Sequence, residues 1–354
     1  MKRSVLPLCA CPGRRESPCG GALVLRESVA LPELADGADP DELREGTLAC
    51  VKCRVEYPVL SGVAILAPDP DGYVRRYHDA LVRDIKRHGT LSDAARRWLS
   101  KRARSSVKKD DYGADFRFSQ QFEAPHYVAG AMTTDPDALY GKFAAWLESI
   151  HDESPYDVLG AWAANRVRLR RLALDAGCGG GGLVARLAQS YQTVLGVDWS
   201  FLAILLGRRA VLHRPEAERE YVLRTHGTAG VRRALRIPRA DNAELVVGDC
   251  AALPFPSGLF DAVCSCNVID IAGMDRTLDA AATALSPGGA LLLSDPFYFR
   301  EGEAPEGEPV AAVRAALTAR GLQIEAEADG VPWAWATYDR HWRLYFNYCV
   351  AARK

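Results

Sequence analysis

Five glycines stand among the seven residues that follow Asp175, within the segment "LALDAGCGGGGLVARLAQ" at 172–189. The spacing Gly177-x-Gly179-x-x-Gly182 matches the fingerprint of turns that bind dinucleotides. Glycines in such a turn let a ligand approach the backbone closely and adopt backbone angles that other residues avoid. We therefore predict a nucleotide-type cofactor over this turn, with nicotinamide and flavin cofactors as the first alternatives to test.

Two further acids follow later strand-like segments. The segment "TVLGVD" ends at Asp198, 23 residues after Asp175, where a carboxylate would meet the hydroxyls of a ribose. A third apolar segment, "ELVVGD", ends at Asp249 and is followed by Cys250. A ribose is common to dinucleotides and to adenosyl cofactors, so these acids alone leave both alternatives open.

The cysteines are concentrated at the start of the chain, where five of the ten lie in the first 53 residues. Cys50-x-x-Cys53 precedes an alternating apolar stretch that is typical of a strand, and two thiolates at this spacing suit a tetrahedral zinc ion. We predict that Cys11 and Cys19 complete this structural zinc site, with Cys9 as the alternative ligand. A redox Cys-x-x-Cys is the competing interpretation, but no βαβ pattern surrounds the pair.

Length and composition predict a globular protein with more than one domain. The chain has 354 residues, of which 48% are hydrophobic and 25% charged, and its net charge is −1. This charge gives no overall reason to expect nucleic acid or a membrane as partner, and no apolar run has the length of a membrane span. The apolar stretch at the N-terminus is about five residues, shorter than an export signal requires, so we expect a cytoplasmic protein.

Alternating strand-like and helix-like segments predict an α/β fold whose sheet positions the glycine turn and the acids. We divide the chain into a small N-terminal domain (1–67), a helical linker or lid region (68–171) and a sheet domain (172–354). In the middle region, helices are predicted near 73–88, 91–104, 136–150 and 156–168.

A basic stretch lies within this helical region. Between Arg75 and Lys109, twelve Lys or Arg residues stand against three Asp residues. The stretch is either a phosphate-binding face or an ordinary solvated helix surface, and the second interpretation is the simpler one.

Three motifs together resemble class I S-adenosylmethionine-dependent methyltransferases over residues 172–299: "DAGCGGGG", "GDCAALPFP…FD" and "L-x-PGG". The resemblance implies a Rossmann-like sheet with helices on both faces, and S-adenosylmethionine as a cofactor that leaves as S-adenosylhomocysteine. An acid at Asp175 is unfavourable beside phosphates but favourable beside the ammonium and sulfonium groups of this cofactor. The predicted cofactor-binding residues are Asp175, Gly177, Cys178, Gly179, Gly181, Asp198, Trp199, Asp249, Cys250 and Asn267.

The same resemblance implies a role for several of these residues. The turn from Gly177 to Gly181 would pass close to the methionine part of the cofactor. Asp198 would bind the ribose hydroxyls, Asp249 would accept from the adenine amino group, and Asn267 would line the floor of the site.

The first domain resembles the zinc-ribbon activator subunit of tRNA and release-factor methyltransferases. The likeness covers residues 6–67 and rests on "CP…CGGAL", "G-x-L-x-C-x-x-C" and "YPVLSGVAIL". A six-residue insertion, "GRRESP", lies within the first cysteine pair and makes its spacing longer than is usual for such a ribbon.

The end of the fourth sheet strand indicates the substrate class. It reads "CNVID" instead of the Asn/Asp-Pro-Pro-Tyr of enzymes that methylate amino groups of adenine or glutamine. Residues 246–299 resemble the methyltransferase domain of ovothiol biosynthesis, and "IDIA", "PFYF" and "RHWRLYFNYCVAARK" are similar to carnosine N-methyltransferase. Both families methylate an imidazole, so a histidine derivative or a histidine-containing peptide is the predicted substrate.

A carboxylate suits methylation of an imidazole because it selects the ring tautomer. By accepting N–H from one ring nitrogen, it directs the lone pair of the other nitrogen toward the methyl group. We predict Asp270 in this role, with His126, Tyr298 and Tyr345 as further residues of the pocket. The alternatives are that Asp270 is a helix N-cap and that the tyrosines are ordinary packing residues.

Two other functions remain open at this point. An RNA methyltransferase would use the ribbon and the basic helices for docking, and its resemblance is to zinc-finger rRNA guanine methyltransferases. A protein that binds the cofactor without catalysis is the third possibility. The sequence leaves the oligomeric state undecided.

Overall fold

The computed structural model describes most of the chain, namely residues 1–13, 19–28, 41–102, 154–213, 220–226, 229–234, 238–299, 302–338 and 341–354. His126 and the helix predicted at 136–150 lie outside these residues.

The N-terminal residues form a four-stranded antiparallel sheet in which each strand pairs with the next along the chain. Its strands are β1 (Leu23–Ser28), β2 (Gly46–Cys50), β3 (Glu56–Leu60) and β4 (Val63–Ala64). The alternating pattern after Cys53 is confirmed as strand β3, in which the side chains of Tyr57 and Val59 are completely buried. The chain therefore has a separate β-rich N-terminal region, as predicted.

Nine further strands follow: β5 (Leu172–Ala176), β6 (Thr193–Asp198), β7 (Glu220–His226), β8 (Ala229–Ala234), β9 (Ala243–Val247), β10 (Phe260–Cys266), β11 (Leu285–Asp295), β12 (Gln323–Tyr338) and β13 (His341–Arg353). Strands β7 and β8 form a separate hairpin, and the other seven form one sheet in the order β12-β13-β11-β10-β5-β6-β9. Five neighbouring strands, from β11 to β9, run parallel, and β13 is antiparallel to both of its neighbours. The strand order reverses between β5 and β10, which is where open α/β sheets bind ligands.

Helices cover both faces of this sheet, as predicted. They are α1 (Pro70–His88), α2 (Asp93–Arg102), α3 (Pro155–Arg166), α4 (Gly182–Leu187), α5 (Phe201–Gly207), α6 (Ile269–Ala272), α7 (Met274–Ala284) and α8 (Pro309–Ala319). Helices α1 to α5 pack on one face, and α7 and α8 pack on the other. The N-terminal sheet contributes Leu60 and Val63 to the first core and Tyr57 and Val59 to the second. The parallel strands are thus buried on both sides, which explains their nearly continuous apolar sequences.

Helix α3 begins at a strong local start signal. The Ser154 side chain accepts from the Asp157 backbone N–H, and the Asp157 side chain accepts from the Ser154 backbone N–H. This reciprocal capping box satisfies two backbone donors, and Pro155 in the first turn has no N–H to satisfy. The start of α3 is therefore fixed next to the carboxyl edge of the sheet.

The N-terminal region docks on the edge strand β9 of the main sheet. The Leu66 backbone N–H donates to the Val247 carbonyl at 2.8 Å. The Ala10 N–H donates to the carbonyl of Pro254 at 2.8 Å, in the loop that follows β9. The β-rich region and the sheet consequently share one apolar core.

A buried ion-pair group reinforces this interface. The Arg208 guanidinium contacts the carboxylates of Glu42, from the N-terminal region, and of Glu244, from β9. Arg208 is 2% exposed and Glu244 is fully buried, so the loss of either side chain would leave a buried charge without its partner.

None of the helices in the described part of the chain combines the length and the apolar character that a membrane crossing requires.

Candidate functional site

Aspartates stand at or just beyond the carboxyl end of all five parallel strands. Because parallel strands end at the same edge of a sheet, these side chains gather on one side of the molecule. They are Asp175, Asp198, Asp249, Asp270 and Asp295, at the ends of β5, β6, β9, β10 and β11. Such an edge favours a cationic ligand over a phosphate.

The glycine turn joins β5 to α4 in a conformation that requires glycine. Gly177 has φ of 87° and Gly181 has φ of 84°, both in the left-handed region. A Cβ atom on Gly177 would lie 2.1 Å from Cγ2 of Val268, which follows β10. The turn therefore packs directly against the end of β10, with Gly177 half-buried and residues 178–182 buried.

Asp198 is held at the end of β6 by two backbone donors. Its carboxylate accepts from the Gly179 N–H at 3.0 Å and from the Ser200 N–H at 2.8 Å. Burial raises the pKa of Asp198, and these two donors counteract the increase. The predicted ribose acid is thus tied to the glycine turn.

Asp175 is the most unusual group of the site. It is 2% exposed, and among the described residues its Oδ1 atom has no hydrogen-bond partner. Burial, together with the negative charge of Asp198, raises the pKa of Asp175 to about 8. A cation or a hydrogen-bond donor from a ligand would stabilise this carboxylate.

Trp199, which follows Asp198, belongs to an aromatic cluster with helix α1. Its indole N–H donates to the Tyr77 hydroxyl at 3.0 Å, and its carbonyl accepts from the Tyr73 hydroxyl at 2.8 Å. Neither tyrosine is among the residues predicted from the sequence. Their spacing of four residues indicates a shared helix face, but nothing in the sequence pairs that face with Trp199.

Asn267 ends β10 with an unusual backbone angle, φ of 59°. Its side-chain oxygen accepts from Nδ2 of Asn347 at 2.6 Å, and its N–H donates to the Ser294 carbonyl at 2.8 Å. Asp249, two residues beyond β9, is half-buried and accepts from the Ala251 N–H at 2.9 Å.

The cysteines predicted near the cofactor are buried: Cys178 is 1% exposed and Cys250 is 8% exposed. Three others, at positions 264, 266 and 349, are also buried, as small apolar residues of the core.

Asp270 lies inside the short helix α6 and is 4% exposed. Its Oδ2 atom accepts from the Tyr298 backbone N–H at 3.2 Å. The alternative in which Asp270 is a helix N-cap is not observed. Val268 is the N-cap residue, and the Oδ2 atom of Asp295, at the end of β11, accepts from the N–H groups of Val268 and Ile269 at 3.1 and 3.2 Å.

The two predicted tyrosines differ in their surroundings. The side chain of Tyr298 is 79% exposed, so it is the backbone of this residue that contacts Asp270. Tyr345 is half-buried on β13, with its ring centroid 5.9 Å from that of Trp333.

Four cysteine sulfurs gather at the tip of the N-terminal sheet. The Sγ atoms of Cys11, Cys19, Cys50 and Cys53 all lie within 4.8 Å of one another. The pairs Cys11–Cys53 and Cys19–Cys50 are 3.5 and 3.6 Å apart, and tetrahedral zinc with Zn–S of about 2.3 Å implies about 3.8 Å. Cys9 is outside the group, since its sulfur contacts the Val5 carbonyl at 3.6 Å.

A glycine next to these cysteines leaves the space that the group needs. A Cβ atom on Gly21 would lie 2.6 Å from the sulfur of Cys50. Backbone N–H groups of Lys52 and Cys53 donate to the same sulfur at 3.3 and 3.4 Å, which suits a thiolate. The donor set and spacing fit a tetrahedral zinc ion.

Several solved structures resemble part of this chain at low sequence identity. One is a chain of the complex between the Trm112 methyltransferase activator of Haloferax volcanii and a methyltransferase, with 16% identity, 55% of this chain and 96% of that chain covered, and a TM-score of 0.37. Another is an Aquifex aeolicus SAM-dependent methyltransferase, with 14% identity, 59% and 97% covered, and a TM-score of 0.38. The [4+2]-cyclase SpnF has 15% identity, 68% and 95% covered, and a TM-score of 0.42. We draw nothing about substrate or partner from likenesses of this size.

Comparison with protein families is more informative. No curated protein sequence matches the chain significantly. The family described as methyltransferase domain matches residues 174–293, which include the glycine turn and the aspartates from Asp175 to Asp270. With the sheet order and the site geometry, this match identifies the segment as a class I S-adenosylmethionine-dependent methyltransferase domain.

Proposed function

We propose that the protein transfers a methyl group from S-adenosylmethionine to a ring nitrogen of an imidazole in a histidine derivative or histidine-containing peptide. The observation that carries the cofactor assignment is the buried Asp175 carboxyl, whose Oδ1 atom has no partner among the described residues. When bound, S-adenosylmethionine supplies a methyl group on a positively charged sulfur and carries an ammonium group. Because burial and Asp198 raise the pKa of this carboxyl to about 8, a cationic ligand would stabilise its ionised form, whereas a pyrophosphate would keep it protonated.

Different residues around the turn would bind different parts of the cofactor. The glycine turn at 177–181, which directly follows β5 and Asp175, would contact the methionine part. Asp198 is oriented by two backbone donors for the ribose hydroxyls. Asp249 follows β9, in position for the adenine amino group.

Asp270 supports the imidazole assignment through its position and surroundings. It follows β10, is almost completely buried and is oriented by the Tyr298 backbone. There it would accept the ring N–H and stabilise the positive charge that develops on the ring during transfer. His126 and Tyr345 stay in the proposal as pocket residues, and Tyr298 contributes through its backbone N–H.

Zinc is the metal that we assign to Cys11, Cys19, Cys50 and Cys53. The sulfur spacings, the N–H donors to Cys50 and the space at Gly21 support a closed four-thiolate site. Such a site has no open position, so its role is structural.

Labelled methyl transfer tests the proposal. The full chain is incubated with methyl-labelled S-adenosylmethionine and, separately, with L-histidine, histidine-containing dipeptides, 4-mercaptohistidine and RNA. We expect label on an imidazole nitrogen. Label in RNA and in none of the imidazoles would refute the substrate assignment while leaving the cofactor assignment intact.

A second candidate, an RNA methyltransferase, is favoured by one observation. The basic residues of α1 and α2 are largely exposed: Arg75, Arg76, Lys86, Arg87, Arg96, Arg97 and Lys101. An RNA complex held by these residues would weaken steeply as salt is raised. Turnover of free imidazoles that does not change between 50 and 200 mM salt would reject this candidate.

A further inference from the structure

The hairpin of β12 and β13 overhangs the carboxyl edge of the sheet. β13 pairs with β11 only from Tyr348 onward, so its earlier residues pair with β12 alone. Along β13, Tyr345 and Asn347 lie on one face and Phe346 on the other. Phe346 is 56% exposed, whereas Asn347 is fully buried. Trp333 on β12 is the cross-strand partner of Tyr345 and shares its face.

A row of aromatic rings joins this face to the cofactor site. The ring of Tyr156, in the first turn of α3, lies 6.0 Å from that of Trp333, which is 5.9 Å from Tyr345. Tyr156 is 5% exposed, and burial followed by the charges of Cys266 and Asp175 raises the pKa of its hydroxyl. We call Tyr156, Trp333 and Tyr345 the aromatic row. It runs from the first turn of α3 to the overhanging hairpin.

Asn347 adds a polar group to the same face. Its Nδ2 atom donates to Oδ1 of Asn267 at 2.6 Å and to Oγ of Ser294 at 2.8 Å. Both N–H groups are therefore used, and the orientation of the amide is fixed. Among the described residues, the Oδ1 atom of Asn347 has no hydrogen-bond partner. A buried acceptor in this state is stabilised by any ligand that brings an N–H group.

We propose that this face binds the substrate: the aromatic row contacts the plane of its ring, and Asn347 Oδ1 accepts an N–H from an amine or amide attached to that ring. The inference rests on the proposed function, because it takes the ring to be the methyl acceptor. It narrows the substrate class to an imidazole with a nitrogen-bearing side chain, since Asp270 already serves the N–H of the ring. The aspartates of the same edge favour a ligand with positive charge.

Two methyl acceptors test the aromatic row and Asn347 separately. L-Histidine carries the ring and an amino group, whereas 4-methylimidazole carries the ring alone. Steady-state kinetics with labelled S-adenosylmethionine are compared for the native chain, Trp333→Leu, Tyr345→Leu, Asn347→Leu and the control Phe346→Leu. Phe346 neighbours Tyr345 and Asn347 in sequence but lies on the opposite face.

Loss of ring contact should appear in KM and leave kcat nearly unchanged. We expect Trp333→Leu and Tyr345→Leu to raise KM for both acceptors by about tenfold. Asn347→Leu should raise KM for L-histidine by about tenfold and leave that for 4-methylimidazole within about twofold. Phe346→Leu should change neither, and calorimetry should give the native affinity for S-adenosylhomocysteine in Trp333→Leu, Tyr345→Leu and Phe346→Leu.

The possible outcomes distinguish a failure of this inference from a failure of the proposed function. If imidazoles are methylated but the three face variants behave like Phe346→Leu, the face is structural and only this inference is wrong. If the native chain labels neither of these two acceptors nor any of the histidine derivatives and dipeptides named above, the substrate assignment is wrong and the inference fails with it. Should Asn347→Leu lose cooperative thermal unfolding, the variants of the aromatic row still decide the result.

Discussion

Replacing Asp175 by Asn should remove most of the pH dependence of S-adenosylmethionine binding. Burial and Asp198 raise the pKa of Asp175 to about 8, and a cationic ligand binds the ionised form. Between pH 8 and pH 6 the ionised fraction falls from about one half to about one hundredth, so the Kd of the native protein should rise about 50-fold. In Asp175→Asn this group carries no charge at any pH, so its Kd should be weaker at pH 8 and nearly constant.

Isothermal titration calorimetry at pH 6, 7 and 8 measures the Kd of S-adenosylmethionine for both proteins. The variant is the matched control because it retains Asp198 and because the ionisable groups of the ligand are the same in both titrations. Two buffers with different ionisation enthalpies should reveal release of about half a proton or more per ligand by the native protein at pH 7. Equal pH profiles for the two proteins would refute the role of Asp175.

The stability of the ligand-free protein provides a second readout for the same substitution. The folded chain retains the Asp175 proton up to about pH 8, whereas the unfolded chain releases it near 3.8. The folded state therefore loses stability as the pH rises through this interval. Asp175→Asn should accordingly raise the Tm at pH 8 and leave it nearly unchanged at pH 4. A variant that melts lower than the native protein at pH 8 would contradict the pKa assignment.

Three further substitutions test other parts of the site. Cys11→Ser should lose the bound zinc measured by elemental analysis, whereas Cys9→Ser should retain about one zinc per chain; equal loss in both would contradict the ligand set. Gly177→Ala should lower the free energy of unfolding by more than the roughly 1–2 kcal/mol that a left-handed residue costs and should weaken cofactor binding. Its control is Gly258→Ala, where φ is 69° and no atom lies within 4 Å, and equal losses would show that close packing at the turn is unimportant. Asp270→Asn should reduce kcat by at least about 100-fold with cofactor Kd unchanged, because it removes the acceptor for the ring proton; parallel losses of kcat and affinity would make Asp270 structural.

Much of the sheet and of the cofactor site could be predicted from the sequence because both are encoded locally. The glycine turn, the apolar strands and the acids that end them follow one another within short segments, and parallel strands bring those acids to one edge. The four cysteines selected from the sequence, Cys11, Cys19, Cys50 and Cys53, have their sulfurs within 4.8 Å of one another, and Cys9 lies outside this group.

Other features depend on contacts between distant segments, which no local pattern encodes. Tyr73 contacts Trp199, although the two lie 126 residues apart. The Tyr298 ring is 79% exposed, and the preceding Phe297 has φ of 59°, an angle that is unusual for a side chain of this size and that no sequence pattern predicts. The overhang of β13 is set by where its pairing with β11 begins, at Tyr348, and a strand pattern does not reveal its partner.

Ligand selectivity of the purified chain tests the central claim most directly. Titration calorimetry is performed with S-adenosylmethionine, with S-adenosylhomocysteine and with an oxidised nicotinamide dinucleotide. The acidic edge around Asp175 and Asp198 predicts saturable binding of both adenosyl compounds and none of the dinucleotide. Heat from the dinucleotide, with no response to either adenosyl compound, would contradict the account.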